Sequence, residues 1–204
     1  MDMWWKKRGC LLQKIEILAS KQEKGQISVL TGLFFLLFLA TILSAHLQME
    51  MFRSSSDYME DALASSGLAS ALIDIREYGY SHVVRIPDAE SAYEKYCVCL
   101  KDNLGLDENW EGNNRKLVSG KVKIENYTIY NVTGDHVEVC RMDRGKEEHS
   151  KGKLGEIAAP NGQVIQHTGV YGEISYLVKG IFGVEIMARK GKLVDIVGAQ
   201  QGDS

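Results

Sequence analysis

From Ile27 to Ala45 the chain reads ISVLTGLFFLLFLATILSA, about 19 residues without a charge. As a helix rising 1.5 Å per residue, this run spans nearly the whole ~30 Å hydrocarbon core of a bilayer. Its apolar residues go all the way round instead of forming one stripe, as a lipid-facing helix requires. The pattern predicts one membrane-spanning helix with its ends at Ile27 and Ala45. Helical character continues beyond it, because no proline interrupts Leu47 to Arg76, and Ala62, Leu63, Ala69, Ala71 and Leu72 favour helix. Met51, Tyr58 and Leu72, with Ala62 and Ala69 beside them, form an apolar stripe against Asp57, Glu60, Asp61 and Asp74. That stripe fits packing on the protein's own domain as well as packing on partner subunits. Tyr78-Gly79-Tyr80 is predicted to end this stalk, and Gly67 marks a bend or a close helix contact within it.

After Ile86-Pro87 a second helix is predicted, with Asp88 as N-cap and Gly105 near its end. Ala89, Ala92, Tyr93, Tyr96, Cys97, Leu100 and Leu104 form its apolar face, which leaves Cys99 on the flank. From Leu117 the period changes to two, through Val122 and Ile124, Tyr127 and Ile129, Val137 and Val139, Ile174 to Val178, then Val184 and Ile186. A phase slip at Glu125-Asn126 marks a bulge. Thr133-Gly134-Asp135 and Arg189-Lys190-Gly191-Lys192 read as hairpin turns, and Asp143 to Gly155 reads as a loop. The expected fold class is α+β: a transmembrane helix extended as a pilin-like stalk, then a small helix with a mostly antiparallel sheet. The expected divisions are a basic leader 1–25, the span and stalk 26–78, and the distal domain 79–204.

Charge changes this picture by giving it a direction. Residues 1–26 hold Lys6, Lys7, Arg8, Lys14, Lys21 and Lys24 against Asp2, Glu16 and Glu23, although the whole chain is net −3. The twenty residues after the span carry Arg53 alone among Glu50, Asp57, Glu60 and Asp61. A positive inner flank puts the N-terminus in the cytoplasm and the distal domain outside the cell membrane. With a pI near 6.0 there is no broad basic surface, so nucleic acid is not an expected partner. Of Cys10, Cys97, Cys99 and Cys140, the last three are placed outside. A bridge from Cys140 to Cys97 or Cys99 is open there, and buried free thiols are the alternative.

Lys24-Gly25-Gln26 sets a basic leader against the apolar helix across a single glycine. Residues 25 to about 72, GQISVLTGLFFLLFLATILSA followed by MEMFRSSSDYMEDALASSGLASAL, resemble the N-terminal module of the TadE/TadG-like family of Flp (tight-adherence) pilus assembly. The resemblance implies a pilin-like subunit whose leader is removed by a prepilin peptidase between Gly25 and Gln26. It also implies other pilin-like subunits and secretion-platform proteins as partners. The chain has Leu30 where pilin-type members often carry a Glu that members of the TadG type commonly lack, and it has no Asp-x-Ser-x-Ser adhesion loop.

Catalytic patterns are missing from the sequence: it has no GxSxG, HExxH or Walker loop. His136, Glu138 and Cys140 alternate along one strand, but Val137 and Val139 read as the core face, which leaves those three solvated and short of a fourth ligand. Neither a metal nor a cofactor is expected. The expected function is therefore a non-enzymatic pilin-like or pilus-assembly membrane component. The alternative is a membrane-anchored extracytoplasmic sensor or binding module unrelated to pili.

Overall fold

The computed structural model describes residues 3–112, 119–143, 145–180, 183 and 185–196, with side chains from Val29 onward, Ser119 excepted. Its first element, α1 (Met3–Ser70), is a single helix. The chain divides into two units after Met49. In the first, Val29 to Met49 is described in full and every large apolar side chain is exposed.

The second unit, Glu50–Ser204, takes in part of the segment read from sequence as stalk. Here α1 turns Met59, Ala62 and Leu63 into a buried core. Small residues, Ser55, Ser66, Gly67 and Ser70, share that buried face and permit close approach. A Cβ on Gly67 would come within 2.9 Å of Val194 Cγ2, so this glycine serves a close contact. The stripe drawn from Met51, Tyr58 and Leu72 is thus rotated from the observed face; Met51 and Leu72 are exposed. Helix α1 also stops earlier than the sequence suggests, at Ser70. The Asp74 carboxylate accepts from the N–H groups of Arg76 (2.9 Å) and Glu77 (3.1 Å), starting a separate helix α2 (Ile75–Ser81). Its last turn closes on His82 at φ 54°.

Helix α3 (Ala89–Leu104) follows the sequence expectation closely. Asp88 accepts from Ser91 N at 2.9 Å, and Gly105 ends the helix at φ 61°, a conformation glycine adopts without strain. Its buried residues are Ala89, Ala92, Tyr96, Leu100 and Leu104.

The sheet is antiparallel, in the order β4 (Lys146–Lys153), β3 (His136–Asp143), β2 (Ser119–Thr133), β5 (Gly169–Lys179), β6 (Glu185–Asp195), with the short β1 (Glu111–Gly112) paired to one end of β2. Strand β2 (Ser119–Thr133) is central, and Gly134-Asp135 turn it into β3 (His136–Asp143). Gly134 stands at φ 57°, as the first central position of a tight hairpin turn demands. The register between β2 and β5 (Gly169–Lys179) shifts between Ile124 and Asn126, where the phase slip placed a bulge. Its effect is visible in the core. Val122 and Ile124 pack toward the helices before the bulge, and Tyr127 and Ile129 do so after it.

Two expectations need correction. Residues 146–153 form a strand, β4 (Lys146–Lys153), paired along its whole length with β3. It escapes a periodicity reading because KEEHSKGK has no apolar alternation: main-chain hydrogen bonds hold it at the edge of the sheet, and it contributes little to the core. The Arg189-Lys190-Gly191-Lys192 stretch is no turn but the interior of β6 (Glu185–Asp195), with Gly191 opposite Glu173. Glycine stands there because a Cβ would overlap the Tyr171 hydroxyl. The predicted strand residues Leu117 and Val184 lie outside the described residues.

Both faces of the sheet are apolar. The α1 and α3 side meets Tyr127, Ile129, Cys140, Met142, Ile174 and Tyr176. On the other side Tyr130, Val137, Tyr171 and Leu193 are covered by Ala159 and Ile165 from the loop before β5. Backbone bonds from Ala159 N to Gln163 O (2.8 Å) and Ile165 N to Ile157 O (2.9 Å) hold that loop in place.

Candidate functional site

Among the described residues the longest run of exposed apolar side chains belongs to α1. Leu30 is 71 % exposed and Phe34 74 %, and Phe35 through Leu39, Ile42, Leu43 and Leu47 continue the pattern round the helix. Such a surface opposes solution in water. Among the described residues one helix near the N-terminus, Val29–Ser70, is long and apolar enough to cross a membrane. Its hydroxyls suit that setting. Thr41 Oγ1 donates to Leu37 O and Ser44 Oγ to Ala40 O, both at 2.8 Å, so neither donor needs water. Gly32 has open space where a side chain would stand. The span end at Ala45 lies within this exposed stretch, and the side chains of Gly25, Gln26 and Ile27 lie outside the described residues.

Beyond the apolar stretch the charges pair. Glu50 and Arg53 meet at 3.2 Å. Glu60 links α1 to the sheet: its carboxylate receives Lys190 Nζ at 2.8 Å and Lys192 Nζ at 2.7 Å. Those two ammonium groups lower its pKa to about 2.

The three cysteines of the sheet domain are free thiols in this structure. Cys97 and Cys99 lie half-buried on α3, whereas Cys140 is 4 % exposed. Burial pushes the Cys97 thiol upward. It pushes Cys140 to about 11, with the Glu147 and Glu138 carboxylates adding to the effect. The sequence expectation of a solvated His136, Glu138 and Cys140 face fails at Cys140. Cys140 lies with Met142 in the core beneath the helices, because the sheet buries both its faces. His136 is exposed, and Glu138 is drawn away to Arg85 Nη2 at 3.1 Å.

The partners that Cys140 does have stand in the segment that reads as a loop. His149 is directly opposite Cys140, and Glu147 directly opposite Met142. One ligand atom each from Cys140, Glu147 and His149 falls within 4.8 Å of the others. Period two between Glu147 and His149, in phase with Cys140 across a two-residue connection, is the sequence signal that would have found them.

Among the described residues a polar cleft and one of mixed lining flank the sheet. One, of about 290 Å³, is lined by Tyr93, Lys123, Glu125, Asn126, Met142 and Asp143. The other lies on the opposite face beside Arg141, Glu148 and Pro160. Tyr127, Tyr130, Tyr171 and Tyr176, a set suited to an adhesive surface, are all buried.

Comparison with protein-family models, with curated proteins and with solved structures finds no match to this chain.

Proposed function

We propose that this protein is a single-pass, non-enzymatic component of TadE/TadG-like pilus assembly, held in the cell membrane by Ile27–Ala45 with its sheet domain outside. The observation that carries this reading is the composition of α1. One helix supplies the all-round apolar surface of Val29–Leu47 and, from Met59 to Ser70, a wall of the sheet domain's core. A helix of this kind can stay in the bilayer or pass sideways into a bundle of like helices, because its backbone and hydroxyl groups are satisfied internally. Flank charges orient it, with Lys21 and Lys24 inside and Glu50, Asp57 and Asp61 outside. Its partners on this reading are other pilin-like subunits, secretion-platform proteins and a prepilin peptidase acting between Gly25 and Gln26.

The deciding experiment is N-terminal sequencing of protein recovered from membranes in cells that contain the peptidase. A mature start at Gln26, abolished by Gly25→Trp, is the expected result; an intact leader in every sample overturns the processing step. Cross-linking of the mature chain into sheared filaments or into the secretion platform then tests the assembly role. A second reading, an anchored sensor or binding module unrelated to pili, draws on the polar cleft beside Tyr93 and Asp143. It predicts an uncleaved chain and no cross-links to pilus components.

A further inference from the structure

In the antiparallel pairing of β3 with β4, Cys140 faces His149, and the next pair along the same face is Met142 with Glu147. Side chains of directly opposed residues lie about 4.5–5.5 Å apart at Cβ, so four such residues form one small square. Three of its corners offer a thiol sulfur, an imidazole nitrogen and a carboxylate oxygen, all mutually within 4.8 Å. The imidazole is already turned toward the carboxylate, with His149 Nε2 3.1 Å from Glu147 Oε2. Glu138, two residues before Cys140, is held by Arg85 and does not compete for this position.

We propose that Cys140 Sγ, a ring nitrogen of His149 and the Glu147 carboxylate form a zinc(II) site at the β4 edge of the sheet, with solvent in the fourth position. The donor set is mixed nitrogen, sulfur and oxygen, which suits zinc; calcium and magnesium take oxygen alone, and copper(I) favours sulfur. Three protein ligands with ligand atoms this close match a tetrahedral ion at about 2.0–2.3 Å from each, after small side-chain rotations. His149 and Glu147 have side chains 54 % and 40 % exposed, so an ion reaches them from solvent, whereas Cys140 supplies the buried anchor. On binding, the Cys140 S–H bond is lost, its proton goes to solvent, and a sulfur–zinc bond forms; no oxidant is needed. Strand β4 contributes no buried side chain, and the ion would tie it through Cys140 to the core.

The test uses the full chain in detergent micelles, titrated with cobalt(II) and then zinc(II). One cobalt per chain is expected, with a sulfur-to-cobalt charge-transfer band and the strong visible bands of a tetrahedral ion, both erased by zinc. A variant carrying Cys10→Ser, Cys97→Ser and Cys99→Ser should keep these bands, because Cys140 is the thiol that matters. Removing a group that merely supports a ligand weakens metal binding 10–100-fold, so His149→Gln and Glu147→Gln should each cost about 100-fold or more. Both positions lie on an exposed strand, and circular dichroism would confirm that these variants fold. Cobalt bound without the sulfur band, or zinc affinity unchanged in His149→Gln, overturns the proposal.

Discussion

Tyr96 and Gly172 provide the sharpest test of how α3 is seated on the sheet. Tyr96 is fully buried, its ring 4.8 Å from that of Tyr127, and its hydroxyl has no hydrogen-bond partner among the described residues. The hydroxyl fits because position 172 has no side chain. A Cβ there would overlap it and would lie 2.8 Å from Tyr96 Cζ. An unsatisfied buried hydroxyl costs about 1–3 kcal/mol, so Tyr96→Phe should stabilise the fold by about 1 kcal/mol. At this size that raises Tm by about 2–4 °C. Gly172→Ala should do the opposite, because overpacking costs about 1–3 kcal/mol. In the Tyr96→Phe background the worst overlap is gone, and the contacts with Cζ at 2.8 Å and Cε2 at 3.1 Å remain. The alanine should then cost less by about 1 kcal/mol, a coupling that a double-mutant cycle resolves. The assay is thermal or urea unfolding of all four chains, followed by near-ultraviolet circular dichroism. Strictly additive effects would refute the contact, and a Tm that falls in Tyr96→Phe would refute the unpartnered hydroxyl.

Asn131 ties the approach to α3 onto the sheet, accepting from Ile86 N and donating to Ile86 O, both at 2.9 Å. Asn131→Ala orphans both backbone groups in a buried place and should cost about 2–4 kcal/mol, read as a lower urea midpoint. Glu60 gives a pH dependence. Its carboxyl is held near 2 when folded against an ordinary 4.5, so the stabilisation is complete above 4.5 and disappears as pH falls through 2. Full realisation of that shift would be worth roughly 3 kcal/mol. The Glu60 and Lys192 side chains are both more than a third exposed, and screening reduces the effect to about 1 kcal/mol. Glu60→Gln should therefore lower Tm near neutral pH and match the parent at about pH 2. An equal gap at both pH values would count against the ion pairs.

Apolar pattern carries most of what is legible in advance. The uninterrupted run at Ile27–Ala45, the Asp88 and Gly105 ends of α3, and the reversal of phase at Glu125-Asn126 each follow from a local rule that the fold obeys. The misreadings share a cause as well. At β4 the chain is ordered by main-chain bonding to β3, which leaves no mark on side-chain polarity. In β6, Gly191 looks like a turn and is in fact a vacancy for Tyr171. Helix α1 ends at Ser70 because Asp74 recruits the next turn, although propensity alone would carry the helix further. Cys140 reads as solvated when a small sheet is given one apolar face; with both faces buried it turns inward, and Glu147 and His149 come to stand beside it.

The two edges of the sheet are chemically unlike. On one side β4 shows Lys146, Glu147, Glu148 and Lys151 to solvent; on the other, β6 shows Ile186 and Met187 between the charged Glu185 and Arg189. A row of unpaired amides at a sheet edge invites any extended chain to join it, and charged side chains raise the penalty for doing so. Where many copies crowd together, β4 would thus repel unwanted strand pairing.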